Sequence, residues 1–330
     1  MRIIVCLAAL AWLMAPIAAG AAKVTQIGPE RIAVAMSGGV GQLPLFATGD
    51  WAHPAPDITR VVLVVHGLSR DGDVYFATGQ AAQAASGVPA MIITPHFLAD
   101  EDIAEHHLPA DTLHWSRDGW GGGEPAHGPV PASSFAALDA ILARLADRAL
   151  FPHIAQVVVA GHSAGGQVVQ RYAVVGNGDA ALVGRGVHVR YVVANPSSYL
   201  YFDATRPGPV ANCAGFNAWR YGFAGGQPPA YVTGDQATLE RRYVARDVIY
   251  LLGTADTNPN HSALDKSCGA EAQGPYRLAR GLAYVNYLRA RHPGAHRLLE
   301  VPGVGHDGRH MLDSVCGRAA LFATPGCPDQ

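Results

Sequence analysis

The sequence has little charge and no excess of either sign. Only 15% of its 330 residues are charged and the formal net charge is −2, where a typical soluble domain carries about 25% charged residues. That leaves no basic stripe for nucleic acid and no polybasic contact for a membrane surface. The chain also lacks internal repeats, low-complexity linkers and any C-x2-C pair of the kind that holds structural zinc. Past residue 22 it lacks an apolar run near the roughly 20 residues that a membrane span needs. What it does have is a 49% hydrophobic content, which excludes disorder and supports a sizeable core. The length fits about two average domains or one large α/β domain. Five cysteines are present, an odd number.

The first 22 residues account for the odd cysteine. Arg2 precedes an apolar run from Ile3 to Leu13, and the small residues Ala15 to Ala22 follow. A basic start, a short apolar core and an A-x-A site at Ala19-Gly20-Ala21 read as a secretory signal peptide, cleaved near Ala21 or Ala22. The run is too short for an anchor, so the expected location is the periplasm or the external medium. Cleavage would remove Cys6 and leave Cys213, Cys268, Cys316 and Cys327, an even set that reads as two disulfides in an oxidising compartment. Three pairings are open. The preferred one closes a short C-terminal loop through Cys316 and Cys327 and ties two loop regions through Cys213 and Cys268.

Residues 23–330 alternate between strand and helix signals. The runs at 60–66, 90–94 and 156–160 are rich in β-branched residues and lack polar alternation, as expected of strands buried on both faces. Further strands are expected at 189–194, 247–252 and 297–301. Phe135, Leu138, Ile141, Leu142 and Leu145 recur at helical spacing behind Ser133 and Ser134, either of which can cap the helix. Leu278, Leu282, Val285 and Leu288 mark another helix, and residues 167–172 a third. Strands separated by helix-length segments imply a mainly parallel sheet with helices on both faces. Segments 32–35 and 43–48 are expected as antiparallel edge strands. Two connections exceed what a crossover needs: 95–131, with Trp115, Trp120 and three consecutive glycines, and a cap-like insertion at about 195–245, rich in aromatics.

Gly161-His162-Ser163-Ala164-Gly165 follows the Val-rich strand and precedes a helix. G-x-S-x-G alone is common in a glycine-rich chain; in a strand–turn–helix setting it is a specific signal for an exposed nucleophilic serine. A serine hydroxyl needs an imidazole base, itself oriented by a carboxylate. Asp256 lies just past one later strand and His306 just past the next, on a glycine-rich turn. Asp265 is the competing acid and His310 the competing base. Two backbone N–H groups should face the developing oxyanion: that of Ala164, at the helix start, and that of Leu68, in the loop after the first buried strand. His66 is read as a turn-stabilising residue with no proton-transfer role.

The His66-Gly67 loop, the elbow at 161–165, Asp256 and His306 together resemble the α/β-hydrolase fold, over about residues 24 to 325. The phrases at 195–199, 264–268 and 273–277 look like a group of secreted α/β-hydrolases without an assigned substrate. The resemblance implies a Ser-His-Asp mechanism without a metal; the superfamily does not imply a substrate. The expected reaction is cleavage of a small-molecule or polymeric carboxylic ester through an acyl-enzyme, with no cofactor. One departure is the fifty residues between Asp256 and His306, a stretch that contains Cys268. Aromatics in the 195–245 insertion would favour an apolar or planar acyl or alcohol group. Three rivals remain: a peptidase or amidase on the same triad, a non-catalytic binding protein, and metal-dependent hydrolysis through His106-His107 or the carboxylates Asp71, Asp73, Asp100, Glu101 and Asp102.

Overall fold

The computed structural model describes residues 24–328; the expected signal peptide, Cys6 included, lies outside the described residues. Eight strands form one sheet: β1 (Glu30–Met36), β2 (Gly39–Ala47), β3 (Arg60–Val65), β4 (Met91–Pro95), β5 (Gln156–His162), β6 (His188–Ala194), β7 (Asp247–Gly253) and β8 (Arg297–Val301). Their order is β1-β2-β4-β3-β5-β6-β7-β8. The strands from β4 through β8 in that order pair in parallel, while the β1–β2 hairpin is antiparallel and β2 pairs antiparallel to β4. The two edge strands expected near 32–35 and 43–48 are this hairpin.

The continuous apolar runs are explained by helices on both faces. Along β3, Val61, Leu63 and Val65 join one core cluster, with α3 (Ser134–Leu145), α4 (Ala164–Val175), α5 (Gln236–Ala245) and α6 (Arg277–Arg291). Val62 and Val64 point the other way, into a cluster with α1 (Gly72–Ser86), α7 (Gly308–Leu312) and α8 (Val315–Phe322). All five residues Val61–Val65 are fully buried, and their burial contributes on the order of 10 kcal/mol before chain entropy is counted. Ser133 caps α3, its Oγ accepting the Phe135 N–H. Among the described residues no helix is long and apolar enough to cross a membrane.

Two features depart from the sequence reading. Helix α1 has no Leu, Ile or Val stripe; its buried face is Gly72, Tyr75, Thr78, Gly79 and Ala82, and the small residues among these bring it close to the sheet and hide it from a hydrophobic-period search. Within the 195–245 insertion, the last ten residues form α5, which packs on α4. Residues 196–235 hold no regular helix or strand. Their aromatics are mostly core: Tyr199, Tyr201 and Phe202 are buried in the main cluster, and Trp219 and Phe223 pack against it. Most of them therefore give no basis for expecting an apolar substrate. Disulfides join Cys213 to Cys268 and Cys316 to Cys327.

Candidate active site

The carboxyl ends of four parallel strands supply the site. Ser163 follows β5 directly, with φ 60° and ψ −122°, a conformation costly for a non-glycine residue. Small neighbours make it possible. A Cβ on Gly161 would lie 2.3 Å from the Gly165 carbonyl oxygen, and one on Gly165 would lie 2.2 Å from that of Val65. The Ser163 N–H donates to the Ala194 carbonyl at 3.0 Å, which ties the elbow to β6. Ala164 opens α4, where the first N–H groups have no partner within the helix.

His306 joins Ser163 to Asp256. The Ser163 hydroxyl donates to His306 Nε2 at 2.9 Å, and His306 Nδ1–H donates to Asp256 Oδ2 at 2.8 Å. All three are sheltered, with side-chain exposures of 9% for His306 and 2% for Asp256. Burial lowers the His306 imidazole below its ordinary value; the Asp256 hydrogen bond works against this, and the Arg277 charge adds to the lowering. Two other imidazoles flank the ring. His162 lies 4.6 Å away by ring centroid and His261 stands edge-on at 4.9 Å. His162 Nδ1 accepts from the Tyr75 hydroxyl at 2.8 Å, and burial drives its titration well below the usual range.

The competing residues do not join this hydrogen-bonded line. Asp265 accepts the Tyr221 hydroxyl at 2.8 Å and the Ser267 N–H at 2.9 Å. His310 is exposed and pairs with Asp307 at 3.2 Å. Asp102, on the short helix α2 (Asp100–Glu105), is held by Arg70 through Nε at 2.6 Å and Nη2 at 3.0 Å, and Glu101 also pairs with Arg70. His106 Nε2–H donates to the Val24 carbonyl.

Leu68, Ser163 and Ala164 together line a cleft of about 360 Å³. The loop that carries it is pinned at several points. His66 Nδ1–H donates to the Gly67 carbonyl and its Nε2 accepts the Phe97 N–H, both at 2.9 Å. Burial pushes His66 down to about 3, so it stays neutral and structural. His96 Nε2–H donates to the Arg70 carbonyl at 2.7 Å. Together with the Arg70–Asp102 pair, these bonds fix the backbone on either side of Leu68.

The cleft walls come from three loops. Asp118, Trp120 and Gly121 line one side, Arg220 and Tyr221 a second, and Ala263, Leu264 and Asp265 a third. Fully buried Arg171, two turns along α4 from Ser163, donates to the Gly121 carbonyl at 2.7 Å and the Arg220 carbonyl at 3.1 Å. The Cys213–Cys268 bridge and the Tyr221–Asp265 hydrogen bond join the second wall to the third.

Sequence reasoning passed over Asn195. Its Oδ1 accepts the Gly253 N–H at 2.9 Å and its Nδ2 donates to the Gly305 carbonyl at 3.3 Å. One buried amide thus links the loop bearing Asp256 to the loop bearing His306. The signal was a strand ending in Asn-Pro, with the asparagine at φ 41°, a region that asparagine tolerates.

No protein-family model and no curated protein matches the chain. Solved structures do. One is poly(aspartic acid) hydrolase-1 from Sphingomonas sp. KT-1, 22% identical over 89% of this chain and 99% of that one, with a TM-score of 0.57. Another is the poly(3-hydroxybutyrate) depolymerase LpqC from Bordetella parapertussis, 24% identical over 88% of this chain and 86% of that one, with a TM-score of 0.59. With the sheet order above, these likenesses show that the chain has the α/β-hydrolase fold.

Proposed function

We propose that this protein is an exported serine hydrolase that cleaves carboxylic esters through an acyl-enzyme. The observation that carries the reading is the continuous hydrogen-bonded line from Ser163 through His306 to Asp256, at the carboxyl edge of the sheet. Ser163 Oγ attacks the ester carbonyl carbon while His306 Nε2 takes the hydroxyl proton, and Asp256 holds the imidazole with its other nitrogen protonated. The N–H groups of Leu68 and Ala164 bind the tetrahedral oxyanion. The C–O bond to the alcohol breaks, His306 returns the proton to the leaving oxygen, and water repeats the sequence on the acyl-serine. The chemistry calls for no metal or other cofactor. The disulfides, together with the signal-peptide-like pattern of residues 1–22, support export to the periplasm or the medium.

The cleft of about 360 Å³, lined by both polar and apolar side chains, suits a small ester or one unit of a polymer. The likeness to a poly(aspartic acid) hydrolase favours a second reading, amide cleavage by the same residues. Matched ester and anilide substrates, with the acyl chain varied, separate the two. Ester turnover that disappears in Ser163→Ala is the expected result; exclusive anilide turnover overturns the ester reading.

A further inference from the structure

Helix α6 begins behind Asp256 and carries two arginines one turn apart, Arg277 and Arg280, exposed by 1% and 0%. Most of their partners are neutral. Arg280 donates to the carbonyls of Ser197, Asp265 and Gly274. Arg277 donates through Nε to Ser197 Oγ at 3.0 Å and through Nη2 to the Ala263 carbonyl at 2.6 Å. Its remaining nitrogen, Nη1, makes no hydrogen bond but stands 3.6 Å from Asp256 Oδ1. Asp256 therefore offers one oxygen to His306 and the other to a buried cation. A structural arginine needs only the neutral acceptors; setting a charge against the carboxylate that orients the base has a chemical consequence.

We propose that Arg277 is a positioning residue of the Ser163–His306–Asp256 site: its cation opposes the Asp256 carboxylate from the far side and keeps His306 unprotonated, hence the site active, in mildly acidic solution. The proposal rests on the ester-hydrolase reading above and extends it to the working pH. A buried carboxylate alone stabilises the imidazolium and would leave the base protonated as the pH falls. A second charge of opposite sign close behind the carboxylate offsets that field, and little solvent intervenes to screen it. Burial lowers Arg277 itself only to about 10, so it remains a cation throughout the relevant range.

The other groups around His306 do not replace it. His162 is buried, neutral and bonded to the Tyr75 hydroxyl. His261 packs edge-on from the 254–267 loop, its Nδ1 accepting the Ala263 N–H, and burial lowers its titration as well. Ser163 on Nε2 is neutral. Asp307, next in the chain, caps α7 by accepting the His310 N–H and pairs with His310. Arg277 and Asp256 are thus the fixed charges that bear on the base, and Arg277 also holds the Ala263 carbonyl of the cleft wall.

The test compares Arg277→Gln, which removes the charge but keeps a donor, with Arg277→Lys, which keeps the charge. The readout is kcat/KM for 4-nitrophenyl acetate against pH, whose acid limb reports the base in the free enzyme. In Arg277→Gln the limb should move up by about one pH unit, the effect of losing a nearby partly buried charge. In Arg277→Lys it should stay within a few tenths of a unit. Ser197→Ala, which removes a neutral partner of Arg277, should leave the limb in place. A limb unmoved in folded Arg277→Gln, or moved equally by the lysine variant, overturns the proposal. NMR titration of the His306 ring in wild type and in Arg277→Gln needs no turnover. The ring should titrate higher in the folded glutamine variant, and an unchanged titration also overturns the proposal. Absence of ester turnover in the wild type would instead remove the ester reading, with the NMR titrations of wild type and variants still deciding the role of Arg277.

Discussion

Ser163, Asp256 and His306 stand one, three and five residues past the ends of β5, β7 and β8, whereas much of the cleft wall lies in stretches such as 196–235 that contain no regular structure. The first region is placed by backbone pairing. Registered parallel strands, buried on both faces, end at one edge and present their next residues there. The second is placed by side chains that reach main-chain carbonyls far away in sequence: Arg171 to Gly121 and Arg220, Arg280 to Ser197 and Asp265, Trp219 to Gly122. In the proposed reading, chemistry sits on the regular scaffold and selectivity on cross-braced loops. A change in the first should cost rate; a change in the second should cost affinity and stability.

The largest effect belongs to the scaffold side. Asp256→Asn should lower kcat for ester hydrolysis on the order of 10⁴-fold, because the wrong imidazole tautomer would face Ser163. Steady-state kinetics beside thermal unfolding separates this from misfolding. A kcat within tenfold of wild type would break the division between the two regions. On the wall side, replacing Cys213 and Cys268 by serine opens a bridge spanning 55 residues and should cost about 4 kcal/mol by the chain-entropy model. KM should rise with kcat largely kept. Replacing Cys316 and Cys327, 11 residues apart at the C-terminus, should cost about 3 kcal/mol and leave KM alone. Urea unfolding and kinetics on both pairs sharpen the contrast, and equal KM changes in the two would erase it.

The same division explains what could be read from the chain. The central strands are β-branched runs, and G-x-S-x-G sits between one of them and a helix, so sheet, elbow and the positions of Asp256 and His306 followed from local pattern. Helix α1 did not, because its buried face is glycine, alanine and threonine with a single tyrosine and carries no hydrophobic period. Arg277 and Asn195 did not either, since each works through partners distant in sequence: Ser197 is 80 residues from Arg277, and Gly305 is 110 from Asn195. Most aromatics of the insertion misled for a related reason: Tyr199 stacks on Tyr284 of α6 and Tyr201 meets the same ring edge-on, rather than lining the cleft. An aromatic-rich segment reads the same whether it faces a ligand or a core.

The central claim is that Ser163 is a nucleophile activated by His306. Treating the protein with a serine-directed fluorophosphonate and mapping the adduct by peptide mass tests it most directly. One adduct per chain on Ser163, absent from Ser163→Ala and from His306→Ala, is the predicted result. Labelling of another serine, or none at all in folded wild-type protein, would contradict the account.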